Sequence, residues 1–134
     1  MSDPMLALQK ALVARLKAAS TGAGASVYDR VPDSDPFPRI TIGEGQTLKD
    51  NQDCRRGSEV FLEVHVWSRE YGFGEAKTIT SEVREALDEA ESFLALDGHI
   101  LDLLDFEEAR FLRDPDGLTN HVAMSFRALT QPAT

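Results

Sequence analysis

Three histidines, His65, His99 and His121, are the side chains of this sequence best suited to bind a metal ion. Zinc sites are usually encoded as pairs of His or Cys ligands a few residues apart. No HxH or HxxxH spacing links two of these histidines, and the single cysteine, Cys54, has no partner for a zinc or redox motif. The sequence therefore predicts no metal site, with a small metal-dependent hydrolase built on the three histidines as an alternative.

Paired carboxylates are the second set of residues that might do chemistry. They occur at three places in or beside predicted turns: Asp33 and Asp35, Glu107 and Glu108, and Asp114 and Asp116. Aspartate in a turn accepts backbone hydrogen bonds, whereas a catalytic acid needs a pocket that shifts its pKa. The sequence also lacks a Gly-x-Ser-x-Gly nucleophile motif and the phosphate-binding glycine motifs. We therefore predict no catalytic and no cofactor-binding residues, and hence no enzyme.

The charge balance is acidic, with 23 Asp and Glu against 14 Lys and Arg and a net charge of −9. Such a surface does not favour nucleic-acid binding, which depends on Lys and Arg displacing counterions from phosphates. It favours solubility, and it would let DNA pass without sticking if the protein surrounded DNA. No apolar stretch reaches the roughly 18 residues needed to span a bilayer, and the amino terminus does not resemble a secretory signal. We expect folding in a cytoplasm and no contact with a membrane.

Elements that would position these residues follow from the periodicity of apolar side chains. Residues 3–19, with Asp3 as N-cap, and residues 74–91 have the spacing of amphipathic helices. Extended chain or strands are predicted at 26–31, 39–44, 59–68, 99–104, 106–113 and 118–129. The segment 59–68 is partly apolar on both faces, so it is central in its sheet or covered by another subunit. Residues 130–134 are predicted to fray. The pattern indicates one α+β domain over residues 1–134.

A polar segment over residues 45–58 is the best candidate for an interaction arm. Fourteen residues is long for a hairpin loop, and loops of that length are often functional or mobile; a connector without a role is the alternative. Large aromatic side chains near the turn after residue 68 suit an interface or ordinary core packing equally well. The predicted interface residues are Lys49, Asp50, Asp53, Arg55, Arg56, Trp67, Tyr71 and Phe73.

Several segments, taken together and in order, resemble the phage tail completion or head–tail joining proteins of prophages and gene transfer agents. They are LALQKALVARL (6–16), VYDRVP (27–32), FPRITIGE (37–44), VHVWS (64–68), GEA (74–76) and DPDG (114–117), followed by a last strand ending near residues 126–128. The resemblance covers nearly the whole chain. It implies a single α+β domain in which two α-helices pack on a mainly antiparallel β-sheet.

The same resemblance implies a structural function in virion assembly. Members of the family cap the tail tube and join it to the head connector, so we expect a hexameric ring at the head-proximal end of the tail. The expected partners are further copies of the chain, the tail tube protein and the head connector protein, with DNA passing through unbound. The expected location is the virion tail, or the host cytoplasm during assembly. An oligomeric interaction or adaptor protein unrelated to phages is the alternative.

Overall fold

The computed structural model describes residues 2–51 and 56–133. Within them, two α-helices and a short 3-10 turn accompany a five-stranded sheet with the strand order β1-β2-β3-β5-β4. The elements are α1 (Met5–Ala19), β1 (Val27–Tyr28), β2 (Arg39–Lys49), β3 (Ser58–Ser68), α2 (Gly74–Leu87), the 3-10 turn (Glu91–Phe93), β4 (His99–Arg113) and β5 (Asn120–Pro132). β1 runs parallel to β2, and all other neighbours are antiparallel. The predicted α+β class and mainly antiparallel sheet are confirmed.

Both helices pack on the same face of the sheet. α1 contributes Leu8, Leu12 and Leu16, which recur every four residues and are fully buried. The central strand β3 meets the helices with every second side chain: Val60, Leu62, Val64 and Val66. Each such side chain contributes roughly 1.5–3 kcal/mol by leaving water. Apolar burial on this face therefore holds the two layers together. No helix in the described residues has the length and apolar character needed to cross a membrane.

The ends of the helices depend on aspartates. The carboxylate of Asp3 accepts the backbone N–H of Met5 at 2.8 Å, but the N-cap is Pro4, one residue later than predicted. α2 ends at Leu87, earlier than the predicted residue 91. Asp88 is extended there, and its carboxylate accepts the backbone N–H of Phe106 at 2.9 Å. This bond to β4 ends the helix where the apolar periodicity alone would continue it.

The last two strands are longer than predicted. The segments 99–104 and 106–113 form one strand of 15 residues, β4, with register shifts between Leu101 and Leu103 and between Phe106 and Glu108. The bulges keep the apolar residues facing the helices where a regular two-residue alternation would fail. The prediction of a frayed tail from residue 130 is wrong, because Thr130 is buried and pairs with Leu101.

β2 and β3 form a long hairpin in place of the predicted polar loop. Residues 45–49 belong to β2 and pair with residues 58–62, so the loop prediction over 45–58 is wrong for both ends of that segment. Backbone pairing makes a strand of this sequence although its side chains are polar, because both strands supply ladder hydrogen bonds. Only glycine fits at Gly45, where a Cβ would lie 2.5 Å from the carbonyl oxygen of Phe61. Of the described residues between the two strands, 50, 51, 56 and 57 belong to neither strand.

Candidate functional site

The face of the sheet opposite the helices carries polar, charged and aromatic side chains, and we call it the open face. Successive side chains of a strand point to opposite faces, so the residues that alternate with the core residues lie on this face. Its members include Thr41 from β2, Glu63, His65 and Trp67 from β3, Arg110 from β4, and His121, Ser125 and Arg127 from β5. Residues far apart in sequence become neighbours here through cross-strand pairing.

A stack of rings lies near one end of the open face. Trp67 and His121 are direct cross-strand partners, with ring centroids 3.8 Å apart and planes only 6° from parallel. The indole N–H of Trp67 donates to Oγ1 of Thr41 at 3.0 Å. Nδ1 of His65 lies 2.7 Å from Nε2 of His121. Burial, followed by the neighbouring His65, lowers the pKa of His121 below its ordinary value. The stack is thus tied to three strands and favours a neutral His121 near neutral pH.

Cations pack on aromatic rings beside this stack. The guanidinium carbons of Arg39 and Arg69 each lie 4.2 Å from the ring centre of Phe37, and Arg39 is also 5.7 Å from that of Trp67. Each such contact is worth about 0.5–1 kcal/mol at an exposed site. They join the segment before β2 to the turn after β3.

Two carboxylates approach His65 on the open face. Oε1 of Glu44 and Oε2 of Glu63 each lie 3.9 Å from Nε2 of His65. Together, Glu44, Glu63 and His65 form a group of three potential metal ligands. Among the described residues, this is the group whose ligand atoms all lie within 4.8 Å of one another. Nε2 of His65 is buried without a hydrogen-bond partner. Two carboxylates and an imidazole nitrogen are groups that can bind a cation. They do not form the acid and base pair of a hydrolase.

The three-histidine site considered from the sequence is wrong. His65 and His121 meet, but His99 pairs with Pro132 at the other end of β5, where its Nε2 lies 3.3 Å from Oγ of Ser2. Pro132 follows His121 by eleven positions along β5, which corresponds to roughly 35 Å at about 3.3 Å per position. One metal ion cannot bind ligands so far apart.

With the fold and this geometry established, comparisons with known proteins identify the family. The model of the family described as "Tail completion protein gp17" matches residues 10–131. The chain belongs to this tail completion family. The resemblance predicted from the sequence is therefore confirmed, and so is the absence of an enzymatic role, because this is a structural virion protein family. The hydrolase and the adaptor unrelated to phages are both excluded as alternatives.

A solved structure supports the fold of this tail completion protein independently. A chain of the structure titled "Virion of native gene transfer agent (GTA) particle" is 24% identical, with a TM-score of 0.83. The match covers 98% of this chain and 99% of that one, so the two share the whole fold. No curated protein matches the sequence.

The predicted interface residues of the tail completion protein fall into two groups. Lys49, Asp50 and Arg56 lie near the tip of the β2–β3 hairpin, whereas Asp53 and Arg55 lie outside the described residues. Trp67, Tyr71 and Phe73 lie at or just beyond the other end of β3. Trp67 follows Ser58 by nine positions along β3, which corresponds to roughly 30 Å at about 3.3 Å per position. The structure therefore separates these residues into two surfaces.

The aromatic residues of the second group differ in exposure. Tyr71 is fully exposed. Phe73 packs against the core and lies 5.6 Å from Nζ of Lys77 and 5.2 Å from the guanidinium carbon of Arg113. Trp67 is held in the ring stack. Of the three, only Tyr71 is presented as a free side chain, and the other two have structural partners already.

The sequence analysis missed Leu118, which is exposed next to Tyr71. The side-chain amide of Asn120 donates to the carbonyl oxygens of Glu70 at 2.9 Å and Gly72 at 2.6 Å. These bonds tie the turn after β3 to the turn between β4 and β5, so that Tyr71 and Leu118 line one hollow. We call this hollow with its two apolar side chains the turn end. An apolar residue directly after the DPDG turn was the available signal.

Proposed function

We propose that this protein caps the tail tube and joins it to the head connector as a hexameric ring. The observation that carries the proposal is the match to the tail completion family over residues 10–131. Completing a tail means closing the open end of its tube, which calls for contacts with the tube on one side and with the connector on the other. The proposed partners are neighbouring copies, the tail tube protein and the head connector protein.

The distribution of surfaces supports a ring. A cyclic assembly of more than two copies needs a heterologous interface, in which one patch meets a different patch on the next copy. The hairpin tip (residues 49–51 and 56–58) and the turn end lie at opposite ends of the roughly 30 Å strand β3. A hairpin tip of one copy that docks beside the turn end of the next would meet this requirement. We assign the subunit contact to these two surfaces.

The hairpin is suited to reach a neighbour because β2 continues past its last contact with β1. β1 pairs with β2 only at Ile40 and Thr41, whereas β2 extends to Lys49. Among the described residues, Gly45 to Lys49 therefore have a strand partner on the β3 side only, and we propose their outer side for strand addition by a partner. Strand addition gives affinity through main-chain hydrogen bonds, so polar side chains on the hairpin do not weaken the argument.

The acidic character of the chain fits a protein that surrounds DNA without holding it. Each copy has a net charge of −9. A ring of such copies would repel the phosphate backbone, and the genome would pass without specific binding. On this proposal the protein acts in the virion tail after assembly in the host cytoplasm.

Electron microscopy of particles made with variant protein as the only copy tests the proposal. In one variant an Asn-Gly turn replaces residues 50–57, which preserves the Lys49–Ser58 pair and hence the hairpin. In the other, Tyr71→Ser and Leu118→Ser remove the apolar side chains of the turn end. We expect both to fold, to lose ring formation in native mass spectrometry, and to give heads without attached tails or tails of uncontrolled length.

Leu6→Ser is the matched control, because Leu6 is an apolar side chain on α1 that is exposed nearly as much as Leu118. It should leave rings, tail length and head attachment unchanged. Normal tails attached to heads in both interface variants would refute the assignment of these surfaces. Normal particles from cells that lack the protein altogether would refute the proposed function itself.

A further inference from the structure

The bulge in β2 gives the open face a feature that the proposed function does not use. Ile42 pairs with Val64 and Gly45 with Leu62, so the two residues Gly43 and Glu44 lie opposite the single residue Glu63. An extra residue in one strand redirects the side chains around it. Here it brings the carboxylate of Glu44 to the side where Glu63 and His65 already point, and both carboxylates lie 3.9 Å from Nε2 of His65.

Nε2 of His65 is an independent sign that this place holds a ligand. His65 is only 8% exposed, and its Nε2 is buried with no hydrogen-bond partner. The other ring nitrogen, Nδ1, lies 2.7 Å from Nε2 of His121, so one of these two nitrogens donates to the other. When His65 donates, its Nε2 presents a lone pair toward two carboxylates. Three electron-rich groups converging without a cation would repel one another.

We propose that Glu44, Glu63 and His65 bind a divalent transition-metal ion, with zinc as the best match. Metal-binding histidines almost always donate their second ring N–H to an acceptor, and His121 is placed to be that acceptor. One nitrogen and two carboxylate oxygens suit zinc, whereas magnesium and calcium prefer oxygen ligands alone. The three side chains leave a fourth position of a tetrahedral ion for water or for a group from a neighbouring copy.

The distances permit this coordination after a small adjustment. Zinc–ligand bonds of about 2.0–2.1 Å place tetrahedral ligand atoms roughly 3.4 Å apart, against 3.9 Å here. The ligand atoms of all three residues lie within 4.8 Å of one another. The side chains of Glu44 and Glu63 are 77% and 35% exposed, so both carboxylates can move toward a shared ion without disturbing the core. A bound ion would link β2 to β3 at the bulge and fix the direction in which the outer half of the hairpin leaves the sheet.

Zinc titration of the purified full-length chain tests the site, with any affinity tag removed and Cys54→Ser as the background. Isothermal titration calorimetry should show one zinc bound per chain, and saturating zinc should raise Tm by at least about 5 °C because the ion binds the native state. Magnesium at the same concentration should leave Tm unchanged. Cobalt(II) should give the visible absorption bands of a tetrahedral ion.

Glu44→Gln and Glu63→Gln are the informative variants, because each removes one ligand while leaving His65 in place. Each should weaken zinc binding at least about tenfold. Glu108→Gln is the control, since it removes an exposed carboxylate from β4. This strand pairs with β5 and is not adjacent to β3. The proposal is overturned if the parent chain binds no zinc, or if Glu44→Gln and Glu63→Gln bind it as tightly as Glu108→Gln does. Neither result would bear on ring formation, so this test is independent of the proposed function.

Discussion

The two faces of the central strand β3 obey different rules. On one face Val60, Leu62, Val64 and Val66 are buried under the helices and have no specific partners beyond close packing. On the other, His65 and Trp67 depend on individual neighbours with defined hydrogen bonds and ring contacts. Apolar packing tolerates substitutions of similar volume. In a polar network, a change in one member leaves the hydrogen-bond partners of that member unsatisfied. The covered face therefore sets stability, and the open face carries specific contacts.

Truncation of one large side chain on each face should give the largest difference in unfolding free energy. Phe126 is fully buried, and its ring contacts that of Phe106 edge to face with centroids 5.7 Å apart. Phe61 belongs to the adjacent β3–β5 residue pair and lies on the open face. Phe126→Ala should cost about 3–5 kcal/mol of unfolding free energy, and Phe61→Ala about 1 kcal/mol. Urea denaturation measures both. Equal losses would show that the open face contributes as much to stability as the core.

Asn120 is a buried polar residue at the end of the covered face, so it tests whether single hydrogen bonds matter on that face as well. Its amide donates to the carbonyl oxygens of both Glu70 and Gly72. Asn120→Ala leaves two acceptors without this donor and should cost about 1–3 kcal/mol in urea denaturation. It should also loosen the turn end, so hydrogen exchange of residues 70–73 should accelerate. Unchanged exchange there would show that the turns are positioned by other contacts.

The ring stack of the open face calls for a double-mutant cycle. Trp67→Leu, His121→Ala and the combined variant isolate the interaction between two rings whose centroids are 3.8 Å apart. We expect a coupling energy of about 0.5–1.5 kcal/mol from the stacked pair. Thr41→Val provides the reference, since it removes only the acceptor for the indole N–H. A coupling near zero would mean that the stack results from strand pairing and does not reinforce it.

The smallest expected effect concerns Asp116 in the turn before β5. The hydroxyl of Thr119, then the backbone N–H groups of Leu118 and Thr119, donate to its carboxylate and lower its pKa below the ordinary value of 3.8. The charged form is favoured in the folded state, so its stabilisation is present at neutral pH and is lost as the pH falls through the folded-state pKa. Asp116→Asn should therefore destabilise slightly at pH 7 and less so at pH 2.5.

Thermal unfolding at the two pH values, with Asp33→Asn as the control, checks this prediction. Asp33 is an exposed turn residue distant from Thr119 in sequence. If both variants change the pH dependence of Tm equally, the hydrogen bonds in the turn are not the cause.

The covered face could be predicted from the sequence and the open face could not, for a physical reason. Burial under α1 and α2 leaves a periodic apolar pattern, so β3 and both helices were found within a few residues of their observed ends. Polar strands leave no such pattern, and residues 45–49 were predicted as loop although their backbone pairs with β3. The contact between His65 and His121 spans 56 positions and depends on the β3–β5 register. Periodicity contains no information about that register.

The same limit applies to Glu44. Its approach to His65 arises from one extra residue in β2, and the sequence around Gly43 gives no sign of which residue is extra. The end of α2 was missed for a related reason, because Asp88 stops the helix by bonding to a strand that begins eleven residues later. Features that depend on local chemistry were predicted; features that depend on the meeting of distant segments were not.

The shortness of β1 has a consequence for growth of the assembly. On one side of the sheet, β2 continues past β1 and keeps an unbroken register from Gly45 to Lys49, beyond its own bulge. On the other side, β4 has two bulges. An irregular edge is a poor template for a further strand. A strand could add to the β2 side of a copy, but no equally good edge is available on the β4 side to repeat the step. Each copy is thus expected to receive a strand on its β2 side without passing a continuous sheet on through β4, which protects the protein from forming fibres.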